Sequence, residues 1–143
     1  MRAMSQASGT FSVESFTAAE LDPPPVAVTT GLPVGVATME KRFEGEISGR
    51  SATLFTAAFD QATGVGTYVA MESFEGSVAG VDGAFNFVHS ATTHGTDRSA
   101  EHFVIVPSSG TDGLAGITGT GGLAVDEDGT HRIRLDYELG AGH

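Results

Sequence analysis

Two charged side chains stand where apolar ones are expected, at matching places in a repeated motif. The motif reads F-E-G-x-[IV]-x-G and occurs at residues 43–49 and again at residues 74–80. Each copy ends a run in which every second side chain faces the same side of a strand. Lys41 precedes the first repeated Phe by two residues, and Glu72 holds the same place before the second. This parity predicts an ammonium and a carboxylate on the inner faces of two strands.

Lys41 and Glu72 could do acid–base chemistry if the two strands lie near each other. Each charge would keep the other ionised at a cost in desolvation, and the pair could serve as proton donor and acceptor toward a bound molecule. The alternative is an internal ion pair with only a structural role, which is common among buried pairs. Parity by itself does not establish that the two side chains meet.

A histidine and five aromatic residues share the inward parity. His89 can act as an acid or a base near neutral pH, and a histidine satisfied within the core is the alternative. We predict Lys41, Glu72 and His89 as the catalytic residues. The aromatic residues are predicted to line a binding cavity, where either tyrosine could donate a hydrogen bond to a ligand, with aromatic core as the alternative. They are Tyr68, Phe74, Phe85, Phe87 and Tyr137.

The sequence patterns favour chemistry without a metal or an organic cofactor. The spacing of His89, His94, Glu101 and His102 fits none of the zinc or iron motifs, and the chain has no cysteine. The glycine-rich residues 113–122 contain no lysine and open no helix, so they do not form a phosphate-binding loop. We therefore predict no metal site and no cofactor.

About eight strands joined by short turns are predicted to position these residues. Alternating apolar and polar side chains indicate a first strand over residues 9–16 and a long strand over residues 34–48 that runs into a turn around Gly49. Residues 17–21 are predicted as one helical turn, and residues 94–99 as a polar loop.

This strand pattern predicts an all-β domain over residues 9–140, with residues 1–8 as a disordered start or a remnant of expression. Hairpin-linked strands with one apolar face favour a closed antiparallel barrel, because closure removes the strand edges, and a β-sandwich is the alternative. An eight-stranded barrel is just wide enough to be filled by side chains or to hold one small ligand. The chemistry is therefore expected in the interior.

Charge and hydropathy limit the partners. The net charge of −11 repels polyanions, so nucleic acid and anionic lipid are poor candidates. The chain has no apolar run long enough to cross a membrane and no secretory signal, so we expect a cytoplasmic location. Residues 68–71 are apolar on both faces of their strand, and the sequence offers no long amphipathic helix to cover them. A homo-oligomer, most simply a dimer, is therefore expected.

Five segments carry a family resemblance as a set. They are residues 9–13 (GTFSV), 71–76 (MESFEG), 87–90 (FVHS), 113–119 (GLAGITG) and 135–139 (LDYEL). Together they resemble an uncharacterised bacterial family of small barrels that is similar in fold to plant allene oxide cyclase. The resemblance covers nearly the whole chain and implies an allene oxide cyclase-like barrel. It also implies a direction of function, toward cyclases and isomerases of lipid-like or polyketide-like molecules, but it brings no catalytic residues to this chain.

The residues and the resemblance together favour a cofactor-independent isomerase or cyclase. Its substrate would be a small, mostly apolar molecule of polyketide, terpenoid or lipid type, bound inside the barrel. The alternatives are a non-catalytic protein that binds a similar ligand and a structural oligomer with a filled interior. An open apolar cavity beside the polar side chains would favour the first two.

Overall fold

The chain forms a closed ring of eight antiparallel strands in the computed structural model, which describes residues 4–140. The strands are β1 (Ser5–Ala19), β2 (Val34–Gly45), β3 (Ile47–Asp60), β4 (Val65–Val78), β5 (Val81–His94), β6 (Asp97–Ile105), β7 (Thr118–Val125) and β8 (His131–Glu138). Each strand pairs with the next along the chain, and β8 pairs with β1. The predicted all-β closed barrel is confirmed. Within residues 4–140 the structure contains no helix long and apolar enough to span a membrane.

Strand β1 is longer than the sequence pattern predicts. It begins at Ser5 rather than at Gly9, because its first residues pair with β8, and residues 1–3 lie outside the described part of the chain. It also continues through residues 17–19, where we expected a helical turn. One isolated turn nucleates helix poorly, whereas pairing with β2 over this stretch satisfies the backbone.

Two β-bulges change which side chains face the interior. In β1, Glu14 is an extra residue between the pairs Val13↔Lys41 and Ser15↔Glu40. The extra residue reverses the alternation after Val13, so Phe16 points into the mouth of the barrel.

The segment predicted as a polar loop, residues 94–99, is instead the end of β5, the turn after it and the start of β6, and the second bulge follows it in β6. Two residues, Ala100 and Glu101, span the step between the pairs Ser90↔His102 and Thr92↔Ser99, and Ala100 has a φ of 50°. A left-handed conformation at a residue with a side chain is unusual, and bulges commonly re-aim side chains. Here the bulge lets Arg98 and Phe103 face the same interior although an odd number of positions separates them.

The lower half of the barrel is a packed apolar core. Its buried members, besides Ala7, are Phe43, Ile47, Phe74, Val78, Phe85, Phe87, Phe103, Ile105, Leu114, Ile117, Ile133, Leu135 and Tyr137. The connection between β6 and β7 closes this end by burying Leu114 and Ile117, and it is tied to β5 by the hydrogen bond from Thr111 N to Ala84 O. Burial of each large apolar side chain contributes about 1.5–3 kcal/mol, so this half anchors the fold.

The first motif copy spans the hairpin of β2 and β3, the second lies at the end of β4, and the two copies meet in a tight contact. The hairpin between β2 and β3 turns at Glu46, inside the first copy, and not around Gly49 as predicted. Gly49 then pairs with Gly76 of the second copy, and a Cβ on Gly49 would lie 2.1 Å from the Glu75 carbonyl oxygen. Strand β3 thereby sits between β2 and β4 and brings their inner faces together.

Candidate functional site

Glu72 is the centre of a buried polar network just above the apolar core. Its side chain is fully buried, and Lys41, at 5% exposure, donates to its Oε1 atom. His89 Nε2 lies 2.7 Å from the same oxygen, and Ser51 Oγ donates to Oε2 at 2.8 Å. The pairing of β2 through β5 produces this geometry, because Lys41 is opposite Ser51, and Glu72 is one diagonal step from His89. The structure therefore brings together the three residues predicted as catalytic.

The electrostatics of the network fix its protonation. Burial alone raises the pKa of Glu72, but the hydrogen bond from His89 and the charge of Lys41 outweigh it and hold the pKa below its usual value. Burial lowers the pKa of His89 more than its bond to Glu72 raises it. At neutral pH the network therefore holds a carboxylate, an ammonium and a neutral imidazole.

These charges determine which ring nitrogen of His89 carries its proton. An ionised Glu72 can only accept hydrogen bonds, so His89 Nε2 is the protonated nitrogen and Nδ1 is the acceptor. Tyr68 Oη lies 2.9 Å from that Nδ1 and donates to it. The result is a relay of phenol, imidazole and carboxylate, the arrangement in which an imidazole can take a proton while the carboxylate stabilises the cation.

Arg98 completes the relay at the phenol. One of its terminal nitrogens, Nη2, donates to Tyr68 Oη at 2.9 Å, and its Nε donates to Glu101 at 2.8 Å. Burial raises the pKa of Tyr68 more than Arg98 lowers it, so the phenol is protonated at neutral pH. A neutral phenol under a guanidinium is a proton donor whose conjugate base is already stabilised.

Tyr68 and Arg98 open onto a cavity at the upper end of the barrel, which we call the mouth chamber. Its volume is about 290 Å³. The residues that define it are Phe16, Phe55, Ala57, Phe59, Tyr68 and Arg98. Phe55 stacks on Tyr68 with ring centroids 5.4 Å apart, and Phe16 meets Phe55 edge-on at 5.5 Å. The chamber is thus a mostly apolar space whose wall also holds one phenol, one cation and the polar residues Gln61, Thr67 and Thr93.

The predicted site residues divide between the chamber, the network and the core. Tyr68 lines the mouth chamber, whereas Lys41 and Glu72 lie beneath it and are not part of its wall. The other four predicted binding residues lie in the packed lower core instead of in the chamber. They are Phe74, Phe85, Phe87 and Tyr137. The alternation that placed them inside is correct, but it carries no information on how far along the barrel each one lies.

Several residues of the site were not found from the sequence. Arg98 lies in the segment predicted as a loop, and the inward direction of both Arg98 and Phe16 follows from a bulge that breaks the two-residue period. Phe55 and Ser51 do have the inward parity on β3, so a stricter use of that parity would have included them. Within residues 4–140, no three His, Asp or Glu side chains lie close enough together to hold a metal ion.

The comparisons with known proteins agree with this barrel. The family model described as "Protein of unknown function (DUF3224)" matches residues 7–137. The chain belongs to the DUF3224 family. The solved structure of a DUF3224 protein with unknown function from Shewanella oneidensis MR-1 is similar to this chain at 28% identity and a TM-score of 0.80. That similarity covers 95% of this chain and 97% of the other. No curated protein matches the chain.

Membership in DUF3224 confirms the resemblance to an uncharacterised bacterial family of small barrels. The matched residues 7–137 include every member of the Glu72 network together with Tyr68 and Arg98. The described site therefore lies within the DUF3224 domain.

Proposed function

We propose that this DUF3224 protein is a cofactor-independent isomerase or cyclase that acts on a small, mostly apolar molecule in the mouth chamber. The observation that carries the proposal is Tyr68, which lines an apolar chamber while its hydroxyl is held by Arg98 and backed by His89 and Glu72. A protonated phenol in such a place is suited to donate a proton to an oxygen of a bound ligand.

The proposed reaction needs no oxidant, reductant or metal. Tyr68 turns its hydroxyl from His89 Nδ1 and gives its proton to a carbonyl or ether oxygen of the ligand, and Arg98 stabilises the phenolate that forms. A proton leaves a carbon of the same ligand for the phenolate. One proton is given and one is regained, so the product is an isomer of the substrate. In this scheme Lys41 and Glu72 are positioning residues that keep His89 in its working tautomer, and the predicted catalytic role passes to Tyr68 and Arg98.

The second candidate is a binding protein without turnover. The wall of the chamber also supports a binding function. Apolar and aromatic side chains with a few convergent polar groups are typical of sites that hold a small molecule. The third candidate, a structural oligomer with a filled interior, is disfavoured by the open chamber.

The experiment detects the proposed proton transfer as uptake of deuterium from the solvent. The protein is incubated in deuterated water with an organic-solvent extract of bacterial cells, and mass spectrometry detects compounds that are retained and compounds that are converted or gain deuterium. We expect the wild type to convert a retained compound, and Tyr68→Phe to retain the same compound with conversion reduced by about 10²–10⁴-fold. Tyr137→Phe is the matched control, because Tyr137 lies in the packed core, and it should convert normally.

Two results would count against catalysis. Retention without conversion by the wild type would favour the binding protein. Equal conversion by the wild type and Tyr68→Phe would remove the phenol from the mechanism.

We also propose that the protein is a homodimer, with the outer face of β3 and β4 as the contact. Leu54, Val69 and Met71 point outward there and are 65%, 45% and 43% exposed. Leu54 and Met71 are directly paired across the two strands, so the three side chains form one patch. A two-fold axis through this patch would place the patches of the two subunits against each other and bury both.

A further inference from the structure

A second cavity passes through the barrel wall between β6 and β7, and we call it the side pocket. It has a volume of about 280 Å³, and its main lining residues are His89, Arg98, Glu101, His102, Gly122 and Arg134. The wall is open there because β6 and β7 share a single residue pair, Val104↔Thr120. The pocket therefore runs from the outer surface, where Arg134 lies, to the polar network inside.

The side pocket brings two arginines together on an acidic protein, and each of them is paired with one carboxylate. Two of the chain's 7 basic residues line it, although the net charge is −11. Glu101 supplies one opposing charge and holds Arg98 Nε at 2.8 Å. Arg134 directs its Nε toward Asp136 at 3.0 Å, and its terminal nitrogens lie over Gly122, where no side chain blocks them. Both guanidinium groups keep N–H donors that neither carboxylate uses.

Arg98 lines the side pocket and the mouth chamber at once. On the other side of the chamber, a further hollow of about 310 Å³ continues outward over apolar side chains such as Val36, Ala37 and Phe59. The outer hollow and the chamber are both mostly apolar, whereas the side pocket is mostly polar. The chamber alone is at the lower limit of about 300 Å³ for small-molecule sites, so a ligand that fills it extends along this path.

We propose that the side pocket binds the carboxylate of an amphipathic ligand whose apolar part occupies the mouth chamber. This inference rests on the proposed function, because it names the class of molecule that the same site takes. Arg98 and Arg134 would share the carboxylate, and the open wall would leave it partly hydrated. Partial hydration limits the cost of desolvating the charge.

The test compares two ligands of the same length that differ in charge. N-Phenyl-1-naphthylamine, a neutral dye that fluoresces in apolar cavities, is displaced by decanoate or by decanol at low ionic strength. We expect Arg134→Gln to raise the Kd of decanoate by about threefold to fivefold, since a partly exposed ion pair contributes modestly, and to leave the Kd of decanol unchanged. The decanoate effect should shrink as salt is added.

Arg132→Gln is the matched control. Arg132 lies two residues away on the same outer face of β8 and pairs with Asp126, outside the side pocket. Its replacement should change neither Kd. The carboxylate site is overturned if decanol binds but Arg134→Gln leaves the Kd of decanoate unaltered, or if Arg132→Gln weakens decanoate equally. If neither ligand displaces the dye from the wild type, both the carboxylate site and the chamber proposal fail.

Discussion

Glu72 has exchanged its hydration water for three protein donors, the side chains of Lys41, His89 and Ser51. Such an exchange leaves a buried charge that is stable only as long as every donor stays in place. We therefore expect the loss of Lys41 or Glu72 alone to lower the stability of the fold more than the loss of both together.

A double-mutant cycle on Lys41 and Glu72 tests this expectation. Lys41→Met or Glu72→Gln alone should lower the free energy of unfolding by about 3–5 kcal/mol, because each leaves the partner poorly compensated. The double replacement should cost much less than the two losses added together. Urea denaturation of the four proteins measures the coupling.

The control cycle uses an ion pair on the same sheet that is exposed. Arg50 and Glu75 pair at 2.5 Å between β3 and β4, with side chains 76% and 57% exposed. Their coupling should not exceed about 1 kcal/mol. Small and additive losses at Lys41 and Glu72 would mean that the buried pair does not act as a unit.

As the pH decreases, the stability of the fold should respond first to the protonation of His89 and then to the protonation of Glu72. The pKa of His89 is lowered by burial, so below its ordinary value of 6.5 the unfolded chain binds a proton that the folded protein resists, and stability falls as the pH decreases. The pKa of Glu72 is lowered by His89 and Lys41 against the effect of burial, so its contribution is complete above 4.5 and is lost as the pH falls further.

His89→Gln separates the two steps. It should remove the slope that begins at pH 6.5, which is at most about 1.4 kcal/mol per pH unit for one proton, and leave the loss that begins below pH 4.5. Urea midpoints measured from pH 8 to about pH 3 give both slopes. If the curves of the two proteins run parallel below pH 6.5, His89 does not stay neutral in the fold.

At the scale of the elements, the alternation of inward and outward side chains predicted the strands of the sheet, but it failed where a bulge interrupts a strand. It placed Lys41, Glu72 and His89 on inner faces correctly, because β2, β4 and β5 are regular over those residues. It missed Arg98 because one extra residue in β6 reverses the alternation, and nothing in the local sequence marks that insertion. A bulge is selected by pairing with the neighbouring strand, which a single chain segment does not encode.

The crossing of Gly49 and Gly76 gives an element-scale prediction. Gly49 has a φ of +148°, and a Cβ there would meet the Glu75 carbonyl oxygen at 2.1 Å. Gly49→Ala should therefore lower the free energy of unfolding by about 2 kcal/mol or more, because backbone atoms cannot move aside as a flexible side chain can.

Gly35→Ala on β2 is the matched control for that substitution. A Cβ on Gly35 has no atom within 4 Å, and its φ lies outside the strained region. This variant should be neutral or slightly more stable than the wild type. Equal urea midpoints for the two variants would show that β3 and β4 do not cross closely at the glycines.

At the scale of the whole molecule, the proposed dimer gives a prediction that does not depend on any ligand. Sedimentation velocity at micromolar concentration should show a dimer for the wild type, and Val69→Ser with Met71→Ser should give a monomer that keeps the β-sheet circular dichroism. Ala124→Ser, which is exposed on the outer face of β7 and lies away from β3 and β4, should remain dimeric. A wild type that sediments as a monomer at every concentration would refute the contact.

Closure of the barrel was predictable from the number of hairpins, but its division into two halves was not. The sequence places Phe74 and Tyr68 on the same inner face of β4, although one lies in the packed core and the other faces an open chamber. Depth along a barrel depends on the stagger of all eight strands and on which loops fold back over an end. Both are properties of the closed ring, so they cannot be read from any single strand.

The seam between β6 and β7 has fewer residue pairs than any other joint of the described ring. The hairpin of β7 and β8 is held to β1 by seven residue pairs, Ser5↔Tyr137 through Phe11↔His131, but to β6 by one. Opening this seam should cost far less free energy than global unfolding, so amide hydrogens along it should exchange with solvent sooner than those of β3 and β4. A ligand could enter the barrel between β6 and β7, and its association rate would then be set by how often these two strands separate rather than by diffusion.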